Sequence, residues 1–160
     1  MNKQGKNKNR VVIIGGLITL LAGCKKDVEY SPIPTIEYKS FIQIGNDSAQ
    51  IAFNFTDGDG DIGSDESNPV QNIFIRYYEK VNGVFQQGMS SGTPTVFTFA
   101  TKKLNPIGKH KALKGTMKVY LSPFYFAGSS DSDTIKYDIQ MVDQADHVSN
   151  TVETNEIIRH

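Results

Sequence analysis

The stretch Phe53-Asn54-Phe55-Thr56-Asp57-Gly58-Asp59-Gly60-Asp61-Ile62-Gly63-Ser64-Asp65 carries the densest chemistry in this 160-residue chain. Asp57, Asp59 and Asp61 stand at every second position with glycine between them, and Asp65 adds a fourth carboxylate. Carboxylates crowded in this way repel one another. A hard cation removes that repulsion, and oxygen ligands at i, i+2 and i+4 are what calcium takes from a tight loop. A hydrated turn is the alternative, because Asp-Gly pairs form turns without any ion. The calcium reading makes Asp57, Asp59 and Asp61 direct ligands and Asp65 and Asp143 further candidates, with backbone carbonyls and water completing the shell. The spacing matches the first half of an EF-hand and then departs from it. Ile62 stands where that motif has glycine, Asn68 where it has its bidentate glutamate, and no helical pattern flanks the loop.

Other chemistry finds less support. His110, His147 and His160 lack metal-ligand spacing, and Asp146-His147 are neighbours whose side chains point apart in extended or turn geometry. No Gly-x-Ser-x-Gly elbow is present. The acidic loop has neither the lysine nor the charge of a phosphate loop. Paired carboxylates can hydrolyse glycosides, so a hydrolase is the least favoured reading; four on one short loop look like an ion site. Two segments could contact a ligand. Thr101–Lys114 concentrates Lys102, Lys103, Lys109, His110, Lys111 and Lys114, which read first as a solvated loop and otherwise as a contact for an acidic glycan or an anionic headgroup. Phe124, Tyr125 and Phe126 follow one another in a Ser- and Asp-rich loop, where they either stack on a sugar ring or cover an open edge of the fold. The second is the favoured reading.

The chain begins with a basic segment bearing Lys3, Lys6, Lys8 and Arg10, then an apolar run from Val11 to Leu21. That run is too short for a membrane span of about 20 residues and has the length of a secretory core. It ends in Leu21-Ala22-Gly23-Cys24, which resembles the lipobox of bacterial lipoproteins. Residues 1–23 therefore read as a signal peptide and Cys24 as the acylated first residue of the mature chain. As the only cysteine, Cys24 leaves no intrachain disulfide, and a sulfur committed to lipid leaves no thiolate nucleophile. Several acyl chains, at about 0.8 kcal/mol per buried methylene, would anchor the protein to a membrane without a helix.

Removing the signal takes four of the 17 basic residues and leaves 13 against 17 acidic, a net charge of −4 with histidine neutral. That balance argues against nucleic acid as a partner, since such binding draws on phosphate neutralisation. Residues 24–34 hold two prolines and mixed charges and read as an extended tether. Residues 35–160 are enough for one core.

The elements that must position the acidic loop have period two. Alternation marks Ile36–Ile44, Ile51–Phe55, Ile73–Tyr78, Val96–Phe99, Met117–Leu121 and Ile135–Met141, with a weaker pattern over Val152–Ile158. Val81-Asn82-Gly83-Val84 predicts a tight hairpin. With no helical stripe, the expectation is an all-β, immunoglobulin-like β-sandwich of about seven to eight strands. In that order Gln50–Thr56 is the second strand and Thr134–Val142 the sixth. The loops after them then share one end, bringing Asp143 to the acidic loop.

The lipobox, the tether, "FNFTDGDGDIG" and "DTIKYDIQMVDQADHVSNTV" together resemble a family of small Bacteroidota lipoproteins of uncharacterised function with an immunoglobulin- or cadherin-like domain. The resemblance implies a β-sandwich in the periplasm or at the cell surface, on the outer membrane, and brings no activity with it. The expected function is a lipid-anchored, non-enzymatic binding or scaffold module with structural calcium. Its partners would be the membrane, through Cys24, and a surface glycan or envelope protein. The alternative is a glycan-binding accessory lipoprotein using Phe124–Phe126.

Overall fold

A computed structural model describes residues 29–106, 111–125 and 133–159. The signal segment, Cys24, His110, Phe126 and His160 lie outside the described residues. The architecture is an all-β sandwich. Its strands are β1 (Thr35–Gln43), β2 (Ala49–Asp57), β3 (Ile73–Val81), β4 (Val84–Gln87), β5 (Met89–Ser90), β6 (Thr93–Pro94), β7 (Val96–Phe99), β8 (Leu113–Leu121), β9 (Thr134–Met141), β10 (Val152–Glu153) and β11 (Ile157–Ile158).

One sheet has the order β1-β2-β8 and the other β10-β9-β3-β4, with β7 also on β3 and β11 also on β9, all antiparallel. Eleven segments stand where seven or eight strands were expected, because two edge strands are interrupted. β4 and β7 lie on the same side of β3, facing Tyr78–Val81 and Ile73–Arg76. Between them the short β5–β6 hairpin turns out of the sheet. Gly88 and Thr95 close its base, both bonding to the backbone of Tyr77. A Cβ on Gly88 would lie 2.3 Å from the Tyr77 ring, so only glycine fits there. On the opposite edge β10 and β11 are separated at Thr154, whose hydroxyl accepts the Tyr137 N–H and whose own N–H donates to the Tyr137 carbonyl. Counting each interrupted edge once, β2 is second and β9 sixth.

Period two explains the core. Ile51, Phe53 and Phe55 of β2 and Met117, Val119 and Leu121 of β8 face Ile75 and Tyr77 of β3 and Ile135, Tyr137, Ile139 and Met141 of β9, in one continuous cluster. The predicted hairpin forms, with Asn82 and Gly83 at φ 51° and 81°, the left-handed pair a two-residue turn requires. Asn150 joins the two halves of the sandwich: its side chain accepts the Ile36 N–H at 2.8 Å and donates to the Ile36 carbonyl at 2.9 Å.

The fold bears on two segments whose role the sequence left open. Phe124 is no exposed platform. It is fully buried, with its ring against Phe41 and Tyr125 and its carbonyl accepting the Tyr137 hydroxyl. Tyr125 packs beside it, partly buried, under the Arg159 guanidinium. The described part of the aromatic run therefore closes the fold, the reading favoured from the sequence. The lysine-rich segment is not one loop: Leu113 and Lys114 begin β8, and Thr101–Leu104 runs beside the acidic loop.

Candidate metal centre

β2 delivers the acidic loop from inside the sandwich. Asp57, its last residue, is 0% exposed, and Ile62, five residues on, is 0% exposed as well. The loop thus starts in the core, passes through half-buried Gly58, Asp59 and Asp61 with Gly60 buried between them, and returns to the core at Ile62. Burying that isoleucine contributes roughly 1.5–3 kcal/mol and pins the excursion at both ends. The residue that breaks the EF-hand pattern is the loop's apolar plug.

The three glycines mark places where other segments cross. A Cβ on Gly58 would lie 2.3 Å from the Tyr30 carbonyl oxygen, one on Gly60 2.1 Å from that of Lys111, and one on Gly63 2.5 Å from that of Lys102. Gly60 and Gly63 also adopt φ of 75° and 87°, which disfavours any side chain. Ser64 pairs with the neighbouring segment through Ser64 N–H to the Thr101 carbonyl at 2.9 Å and Lys103 N–H to the Ser64 carbonyl at 2.8 Å.

Asp57, Asp59 and Asp61 converge, each offering an oxygen within 4.8 Å of the others, a group that could hold a metal ion. Asp57 Oδ2 accepts the Gly60 N–H at 2.8 Å and the Asp61 N–H at 3.2 Å. Asp57 Oδ1, Asp59 Oδ1 and Asp61 Oδ1 are buried with no hydrogen-bond partner. Unpaired buried carboxylate oxygens are costly and call for a cation or a proton. Burial, then the charges of Asp59 and Asp61, push the Asp57 carboxyl up to about 6 against two opposing backbone N–H bonds. Asp61 is raised too, by burial first and then by Asp143 and Asp59. Such a cluster, with three buried Oδ1 atoms that no donor faces, suits a hard divalent ion.

The other two predicted ligands stand apart from this group. Asp65 is exposed, because the chain has already turned outward after Ser64 pairs with the 101–103 segment. Asp143 does arrive at the same end, close enough for its charge to act on Asp61, but its oxygens are occupied within its own turn. Oδ1 accepts the N–H groups of Ala145 at 2.9 Å and His147 at 2.8 Å, and Oδ2 meets His147 Nδ1 at 2.9 Å. That contact, ahead of the charge of Asp143 itself, raises the His147 pKa. The residue that joins the two loops is Gln144, for which the sequence held no signal. Its N–H donates to the Asp61 carbonyl at 3.1 Å and its side-chain amide to the Gly63 carbonyl at 2.7 Å.

Between these loops lies a cleft of about 320 Å³ lined by Asp65, Asn72, Lys103, Asp143 and Asp146 among others. Asn72 is 6% exposed and its side-chain nitrogen has no partner. Compared with protein-family models, curated proteins and solved structures, the chain matches none.

Proposed function

We propose that the chain is a lipid-anchored, non-enzymatic binding or scaffold module of the bacterial outer membrane, with calcium at its acidic pole. One observation carries the ion: three convergent carboxylates with buried, unpartnered oxygens. Calcium is favoured over magnesium because it accepts an irregular set of oxygen ligands such as these three carboxylates, whereas magnesium demands near-ideal octahedral geometry and keeps its water. The anchor rests on the sequence around Cys24, as does the likeness to small Bacteroidota lipoproteins. The strand order, with the Tyr137 hydroxyl reaching back to the loop before its strand, supports an immunoglobulin-like module.

Thermal unfolding with calcium and with chelator tests the ion. The expected outcome is a midpoint raised by calcium and insensitive to it in Asp59→Asn. Identical curves across the millimolar range would reduce the loop to a hydrated turn. Incorporation of an acyl label, lost in Cys24→Ser, tests the anchor.

The cleft beside the loop favours a second reading, glycan binding, relocated from the aromatic run. Asp65 and Asp146 supply acceptors, and Lys103 supplies donors, for a sugar's hydroxyls. Chemical-shift changes at Asn72 on adding oligosaccharide would support it; their absence would leave the scaffold reading alone.

A further inference from the structure

The chain enters the domain across the metal loop. Before β1 begins, Tyr30 and Ser31 lie on Gly58, which sits between two of the three clustered aspartates. The approach is backbone on backbone: a Cβ at Gly58 would lie 2.3 Å from the Tyr30 carbonyl oxygen and 2.8 Å from the Ser31 carbonyl carbon and oxygen. Pro32 and Ile33 then bulge outward, Pro34 is buried, and Asn150 grips Ile36. The tether is thus held at two points with an exposed bend between them, where the Ile33 N–H is turned back onto Ser31 Oγ at 3.0 Å. The second point is firm, because it belongs to the sandwich. The first depends on the shape of the acidic loop.

That shape depends on charge. Without a cation, Asp57, Asp59 and Asp61 repel one another around Gly58; with one, they are drawn together and the backbone between them is fixed. We infer that the acidic loop is a metal-controlled seat for the tether, so that cation binding straps Tyr30–Ser31 onto the domain and cation loss releases them. The inference rests on the calcium reading of the same loop and adds its regulation. By linkage, the coupling is reciprocal: a seated tether raises the loop's affinity for the ion by the factor with which the ion favours seating. A segment that begins only six residues beyond Cys24 would then carry a cation signal into the stance of the domain on its anchor.

The test is backbone hydrogen exchange at Tyr30, Ser31 and Ile33 in the full chain, with calcium or chelator, beside calorimetric titration with calcium. Expected are exchange at least about tenfold slower with calcium in the wild type, and no such difference in Gly58→Ala. That variant keeps all three aspartates and should still bind calcium, about three- to tenfold more weakly. Because a new methyl could distort the loop itself, deletion of residues 29–33 provides a second route, with the same loss of affinity expected. Calcium binding with no change in tether exchange, or wild-type affinity in both variants, would overturn the strap and leave the metal site standing. No calcium binding at all would overturn both.

Discussion

The Gln144 side-chain amide donates to the Gly63 carbonyl at 2.7 Å, while its backbone N–H reaches the Asp61 carbonyl at 3.1 Å. One residue of the β9–β10 turn therefore holds the descending limb of the acidic loop from two sides. Asp143, beside it, shapes the turn that presents this glutamine. Gln144→Ala removes the side-chain bond and leaves the backbone bond. It should cost about 0.5–1.5 kcal/mol in urea unfolding and lower calcium affinity several-fold in calorimetry. An unchanged affinity would mean that the loop holds its shape without help from β9.

On the calcium reading, proton and cation would compete for the same oxygens. Asp57 has a folded pKa of about 6 against an ordinary value of 3.8. A raised carboxyl pKa means that the folded state holds the proton more tightly than the unfolded chain does. Below about pH 4 both states are protonated and nothing is lost; between about 4 and 6 the unfolded chain ionises first, so the metal-free protein loses stability as pH rises through that window. Calcium bound at the proposed site would offset this by pairing the ionised form. The stabilisation by calcium should accordingly be small at pH 5 and larger at pH 7.5, as read from unfolding midpoints at fixed ion concentration. A calcium effect independent of pH would remove Asp57 from the ligand set.

Phe124 lies at the base of the loop between β8 and β9, fully buried against Phe41. Phe124→Ala should therefore destabilise the fold by about 3–5 kcal/mol, as large aromatic deletions do. A variant that unfolds at the wild-type urea midpoint would return this side chain to the surface.

The pattern of legibility follows from range. Strand identity was local: alternation at period two and an Asn-Gly turn are written in consecutive residues, and those strands form where the pattern lies. The Asp57, Asp59 and Asp61 group was legible for the same reason, since spacing alone brings the three together. Asp65 belongs to the same run of letters, yet the pairing of Ser64 with a segment nearly forty residues away carries it outward. Gly58, Gly60 and Gly63 read as turn formers, but each also admits a distant backbone that no local pattern announces. Ile62 looked like a defect in a known motif. Its role becomes visible only once the core beneath it is assembled.

The interruptions in the larger sheet bear on how neighbouring molecules behave when crowded. An unbroken outer strand is a template on which another chain can zip, and continuous zipping leads to fibres. Here the β4–β7 side is split by the outward hairpin at Gly88 and Thr95, and the β10–β11 side is split at Thr154. In the smaller sheet β1 shifts register between Tyr38 and Ser40. Among the described residues, β8 is left as the longest border in steady register, and it carries Lys114 and Lys118 at exposed positions. Two copies meeting along that border would bring like charges together, which opposes pairing through their own sheets.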